Sequence, residues 1–196
     1  MENKSHFFAM VARMKYIDRW ALMRNTKKEN VCEHSMEVSA IAHALAVIKN
    51  KHFGGQLNCE RVALLALYHD MPEILTGDMP TPVKYHNPQI RDVYKAIEES
   101  ACNTLLRMLP KELQEDYEGC FFQKEEDEYL WKIVKAADKI SALTKCIEEK
   151  KAGNSEFDFA KDASLRAIEK MNMPEADYFV KTFIDSFALT LDQQNL

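Results

Sequence analysis

Residues 30–50, NVCEHSMEVSAIAHALAVIKN, contain neither Gly nor Pro, and their reading decides the fold class. At 100° per residue, Val38, Ile41, Leu45 and Ile48 fall on one face, and His34 falls there with them. His43 lies on the other side. The pattern predicts a helix. Asn30 is its capping side chain and Glu33 sits at N3, a loose capping box. The HFGG break at 52–55 ends it.

Working outward, residues 58–71 predict a second helix, with Asn58 as cap and a stripe of Val62, Leu65, Ala66 and His69 bordered by Asp70. Pro72 disfavours helical geometry at Met71, so this helix ends or kinks there. Further helices are expected over 4–16, 89–109, 125–151, 155–171 and 175–191. Two stretches read as loops: IDRWALMRNTKKEN at 17–30, and TGDMPTPVKYHNP at 76–88, which holds three of the six prolines. No segment alternates with strand period, and no repeat or linker divides the chain. The expectation is an all-α single domain over 1–196.

Composition narrows the function. A net charge of −5 argues against a sequence-independent binder of polymeric nucleic acid. A small anionic substrate stays open, because a metal and an arginine reverse the sign locally. Cys32, Cys59, Cys102, Cys120 and Cys146 are odd in number and form no C-x-x-C pair, so neither a disulfide framework nor a zinc ribbon is expected. The start, MENKSHFFAMVARM, lacks a signal-peptide apolar stretch, and the longest apolar run, 62–68, is too short for a bilayer. A reduced, cytoplasmic compartment is the expectation, with no membrane partner.

The chemistry concentrates on inward faces. His34 is on the first helix, His69-Asp70 ends the second, and Asp138 shares a face of the 125–151 helix with Trp131 and Val134. A lone inward His is usually a hydrogen-bonded core residue. A buried Asp demands a cation or several donors, though an Arg or a helix end can supply them. Two imidazoles and two carboxylates suit Mn, Fe, Co, Ni or Zn better than Ca.

The segments NVCEHSMEVSAIAHALA, ALLALYHDMPEILTGDMPTPVKY and VKAADKISALTKCIEE resemble the H…HD…D signature of HD-domain phosphohydrolases. More narrowly, SHFFAMVARMKYIDRWALMRN and TGDMPTPVKY are similar to the bacterial 5′-deoxynucleotidases of the YfbR type. The resemblance covers nearly the whole chain. It implies an HD-domain helical bundle with a metal site between helices, and one divalent ion (Co, Mn, Zn, Fe, Ni or Cu) on His34, His69, Asp70 and Asp138. It also implies a homodimer hydrolysing 2′-deoxynucleoside 5′-monophosphates to deoxynucleoside and phosphate. Glu73 matches the family's catalytic glutamate. Arg19 is assigned to orienting the phosphate and Trp20 to shaping the pocket around a sugar without a 2′-hydroxyl. Asp78, Met79, Pro80 and Thr81 match a second substrate segment, with Asp78 facing the 3′-hydroxyl, and Asp70 and Asp138 border substrate as well as metal. Lys84 adds positive charge nearby.

On residue physics alone, Glu73 is an exposed helix glutamate, Arg19 is a phosphate fork or a surface arginine, and Trp20 is a flat wall for a sugar or base or a core indole. Two other functions stay open: an HD hydrolase of another nucleotide phosphoester, and a non-catalytic, metal-containing helical regulatory protein. His6, His43, His52 and His86 carry no partner pattern. Phe179, Phe183 and Phe187 are the candidates for a dimer face.

Overall fold

The computed structural model describes residues 4–84 and 86–194 and contains no strand among them. Helix α1 (Phe7–Val11) tightens into a 3-10 turn over Ala12–Tyr16. After the 17–30 loop come α2 (Val31–His52) and α3 (Cys59–Tyr68), then two single turns, α4 (Glu73–Thr76) and α5 (Thr81–Lys84). The remainder is α6 (Pro88–Leu106), α7 (Lys111–Phe121), α8 (Glu128–Lys151), α9 (Asp158–Lys170) and α10 (Pro174–Phe183).

The α2 start is the capping box that the sequence predicts: Asn30 Oδ1 accepts from the Glu33 N–H at 3.0 Å while the Glu33 carboxylate reaches back to the Asn30 N–H. Asn58 caps α3 in the same way, accepting from Arg61 N–H at 2.9 Å. Losing such a cap costs about 1 kcal/mol. Asn30→Ala is therefore expected to lower the urea midpoint without changing the slope, and an unchanged midpoint would remove the cap from the account of α2.

Helix α2 is the axis of the fold. Val38, Ala42, Leu45 and Ala46 are fully buried against Val62 and Leu65 of α3, Ile133, Ala137 and Ile140 of α8, and Ala176 of α10. Each large apolar side chain so buried contributes about 1.5–3 kcal/mol. Its length and composition would let α2 cross a bilayer, yet here it is a core helix wrapped by its neighbours. A second, smaller cluster joins Phe7, Met14, Val31, Met71, Ile74, Leu105 and Leu109, and seats α1, α4 and α6 beside the bundle.

Three departures from the sequence reading stand out. Helix α3 stops at Tyr68, and the chain tightens through three-residue hydrogen bonds (Met71 N–H to Tyr68 O, 3.1 Å) before α4 starts after Pro72. Helix α7 was not expected at all. It is short and charged, with Gly119 and Cys120 buried; Tyr117 and Phe121 pack against Phe7, and Arg61 donates to Gly119 O at 2.9 Å and, at the start of the next helix, to Asp127 at 2.7 Å. Finally, α10 ends at Phe183 in a 3-10 turn, because Phe179 and Phe187 pack onto the core while only Phe183 of the three stays exposed. All five cysteines are free thiols.

Candidate metal centre

Three elements converge on one point: an early turn of α2, the turn that ends α3, and the middle of α8. His34 is 1% exposed, and its Nε2 lies 3.5 Å from Asp70 Oδ2 and 3.3 Å from Asp138 Oδ1. His69 Nε2 lies 3.2 Å from the same Asp70 oxygen. Ligand atoms of His34, His69 and Asp70 all fall within 4.8 Å of one another, with Asp138 touching the group through His34. Helical phase separates the two histidines of α2, His34 buried and His43 exposed on the far side.

The other nitrogen of each ring is already engaged. His69 Nδ1 sits 2.7 Å from Ala66 O, an acceptor only, so Nδ1 carries the proton. Ser141 Oγ donates to Glu37 Oε2 at 2.6 Å, which leaves its lone pair to accept from His34 Nδ1 at 3.0 Å. Thr144 Oγ1 supports the other Glu37 oxygen at 2.8 Å. Both Nε2 atoms are therefore lone-pair donors, buried and without a hydrogen-bond partner. Two orphaned imidazole lone pairs facing two carboxylates is a donor set that fits a divalent transition ion.

The electrostatics agree. Burial pushes the Asp70 and Asp138 carboxyls up, but the imidazoles, with Arg19 at Asp70 and Lys139 at Asp138, hold both well below the usual carboxylate range. Burial opposes charge on His69, and Asp70 overcomes it, raising the imidazole. The site attracts positive charge.

The hydroxyl relay lies outside the expected ligands, though its spacing is visible: Glu37 follows His34 by three residues, and Ser141 follows Asp138 by three. Removing such outer partners typically weakens metal affinity by about 10–100-fold. Ser141→Ala is expected to show this in a competition titration against a chromophoric chelator, and affinity within about twofold of the parent would show the relay to be idle.

The neighbouring residues complete a polar pocket. Arg19 Nη1 reaches Asp70 Oδ2 at 3.4 Å and its Nε reaches Glu29 Oε2 at 3.2 Å. The Trp20 indole donates to that same Glu29 oxygen at 2.8 Å, and its ring packs 5.3 Å from Phe157. Trp20 holds φ at +59°, a left-handed backbone that costs a non-glycine residue about 1–3 kcal/mol. Glu29, which the sequence reading passed over, is thus the hinge between the two.

Glu73 is 6% exposed and its Oε2 has no partner. It reaches the site on the new turn of α4 rather than along the face of α3. Burial, reinforced by the Asp70 and Asp78 carboxylates, pushes it up to about 9. Gly77, at φ +73°, then turns the chain out of α4 and brings Asp78 back beside Arg19 and the Trp20 backbone. Burial also raises Asp78, against the pull of Arg19. Met79 and Pro80 are half-buried and Thr81 is exposed at the start of α5. Lys84 pairs with Glu98 at 2.8 Å and stands over the Tyr94 ring, so much of its charge is engaged on α6.

Comparison with known proteins bears on this geometry. The family described as 5′-deoxynucleotidase YfbR-like matches residues 6–187. A 5′-deoxynucleotidase of Vibrio vulnificus is 54% identical over 191 residues, covering 97% of this chain and 98% of the relative. One from Photorhabdus temperata is 51% identical over 192 residues, 98% of each. Among solved structures, an HD-domain phosphohydrolase from Listeria innocua superposes with a TM-score of 0.81 at 25% identity, covering 97% of this chain and 92% of that one. The all-helical fold is that of the HD phosphohydrolases, and relatives more than half identical from end to end make the chain a member of the YfbR-like 5′-deoxynucleotidase family.

Proposed function

We propose that this protein is a metal-dependent 5′-deoxynucleotidase, cleaving 2′-deoxynucleoside 5′-monophosphates to deoxynucleoside and phosphate. One observation carries the reading beyond kinship. A single carboxylate oxygen, Asp70 Oδ2, is shared by the Arg19 guanidinium and by two orphaned imidazoles, so a phosphate-sized anion there meets a cation-binding cluster on one side and an arginine fork on the other.

His34, His69, Asp70 and Asp138 would hold one divalent transition ion, with Co, Mn, Zn, Fe, Ni and Cu all compatible with the donors. When bound, such an ion supplies Lewis acidity to the phosphate and acidity to a water molecule. Arg19, kept charged by Asp70 and Glu29 despite burial, orients the phosphate. Glu73 gives or takes the proton that the water and the leaving 5′-oxygen exchange. Asp78 accepts from the sugar 3′-hydroxyl, and Trp20, together with Met79, Pro80 and Thr81 of the second substrate segment, closes the wall against a 2′-hydroxyl. A homodimer working in the cytoplasm completes the proposal.

The test is phosphate release from a panel of deoxyribo- and ribonucleoside monophosphates, after chelation and re-addition of single metals. Turnover that needs the metal and favours the deoxy series is expected. Equal release from ribose and deoxyribose substrates would sink the deoxynucleotidase assignment.

A further inference from the structure

The loop that carries Arg19 and Trp20 is fastened by a buried carboxylate with no part in the chemistry above. Glu149 sits ~16 Å farther along α8 than Asp138, at 1.5 Å per residue. It is 1% exposed. Its Oε2 accepts from the Thr26 N–H at 2.9 Å, the Thr26 hydroxyl at 2.7 Å and Asn154 Nδ2 at 2.8 Å. Its Oε1 accepts from the Lys145 ammonium and, at 3.4 Å, from the Lys27 N–H. Lys145 also donates to Lys27 O, and Asn154 Nδ2 to Arg24 O at 2.7 Å. Burial alone would raise this carboxyl, yet Lys145, Asn154 and Thr26 hold it well below the usual range.

Thr26 and Lys27 belong to a segment more than a hundred residues away in sequence and without regular structure of its own, whereas Lys145 and Asn154 are Glu149's near neighbours in the chain. Its neck is closed by the Asp18–Asn30 bridge and its tip by Glu149. Between them the strained Trp20 is positioned from the tip side: Met23 N–H donates to Trp20 O at 2.9 Å and Asn25 Nδ2 at 3.2 Å, while Phe157, with Lys145 Nζ over its ring at 5.6 Å, backs the indole. The turn that holds Trp20 in its left-handed conformation runs directly into the tip that Glu149 fastens.

We infer that Glu149 is a positioning residue for substrate selection: by clamping residues 24–27 to the end of α8, it sets Trp20 and Arg19 against the nucleotide without touching the metal centre. The inference rests on the proposed contact of Arg19 and Trp20 with substrate.

Trypsin tests the clamp directly, because Arg24, Lys27 and Lys28 are exposed cleavage points within the loop. In Glu149→Gln and Glu149→Ala, cleavage there is expected to quicken ~10-fold or more, since protection tracks local opening. Metal content and helical circular dichroism should match the parent. KM for a deoxynucleoside monophosphate should rise and the deoxyribose-to-ribose preference should fall, by up to ~10²-fold, the scale of a misplaced substrate contact. Should Glu149→Ala fail to fold, Thr26→Ala removes one exposed hydroxyl of the clamp and shifts the same readouts in the same direction. Unchanged cleavage in the folded variants overturns the inference. Faster cleavage with unchanged KM and sugar preference also overturns it. In that case a parallel Trp20→Ala shows whether the loop's contact with substrate has failed too: a shift there leaves that reading standing without the clamp.

Discussion

Glu73→Ala is expected to lose ~10²–10⁴ in kcat, the usual worth of a positioned proton-transfer group, while retaining stoichiometric metal and a native circular dichroism spectrum. The side chain is buried, one oxygen is unpartnered, and it projects beside Asp70 and Asp78. A carboxyl in that setting holds its proton far above its ordinary range and can deliver it to an alkoxide leaving group. With a divalent cation on the adjacent ligands the Glu73 carboxyl would be drawn back toward the carboxylate, the form that accepts a proton from water. Glu73→Gln separates chemistry from packing, because the amide keeps the volume and has no ionisable proton to give or take. It should fall as far as Glu73→Ala. Parent-like turnover in Glu73→Gln would take Glu73 out of proton transfer.

The same burial has a thermodynamic signature. An acid raised from 4.5 to about 9 on folding makes the native state the more protonated one across that interval. Stability therefore falls as pH rises through it. In chelated protein, Glu73→Gln should be more stable than the parent at neutral pH, with the difference growing from pH 5 upward. An activity lost together with a stability gained is what a strained catalytic group predicts.

Much of this was legible in the residues because it depended on local rules. Asn30 with Glu33 sets the start of α2, and 100° counting puts His34 in the core and His43 in water. What escaped depended on contacts between segments far apart in sequence. Helix α7 is rich in charge, and its stripe of Leu113, Tyr117, Cys120 and Phe121 finds its partners in Phe7 and Tyr68, far away in sequence. Whether α3 would end or kink at Pro72 was undecided from the residues. The structure ends it and rebuilds a turn, which is why Glu73 reaches the site on α4. Glu29, Ser141 and Glu149 are ordinary polar residues until folding places them against Trp20, His34 and Thr26. Of the phenylalanines named for a dimer face, Phe179 and the half-buried Phe187 pack on the protein's own core and Phe183 is exposed.

His69→Ala should remove metal and activity together, and the geometry says why no neighbour can substitute. His69 Nδ1 is locked on Ala66 O, so its Nε2 lone pair has one direction, toward Asp70. Removing a direct ligand should exceed the effect of losing Ser141, giving at least ~10²-fold weaker binding. Mass-spectrometric metal analysis after dialysis is expected to find near-complete loss. Linkage supplies an independent reading: a ligand at a hundred times its Kd stabilises the folded state by about 2.7 kcal/mol. Added metal should thus raise the melting temperature of the parent and leave that of His69→Ala nearly unmoved. His43→Ala, on the exposed side of α2, keeps both metal and thermal shift. A His69→Ala protein that bound stoichiometric metal and still shifted would mean that the ion sits elsewhere, and the convergence of α2, α3 and α8 would then need another explanation.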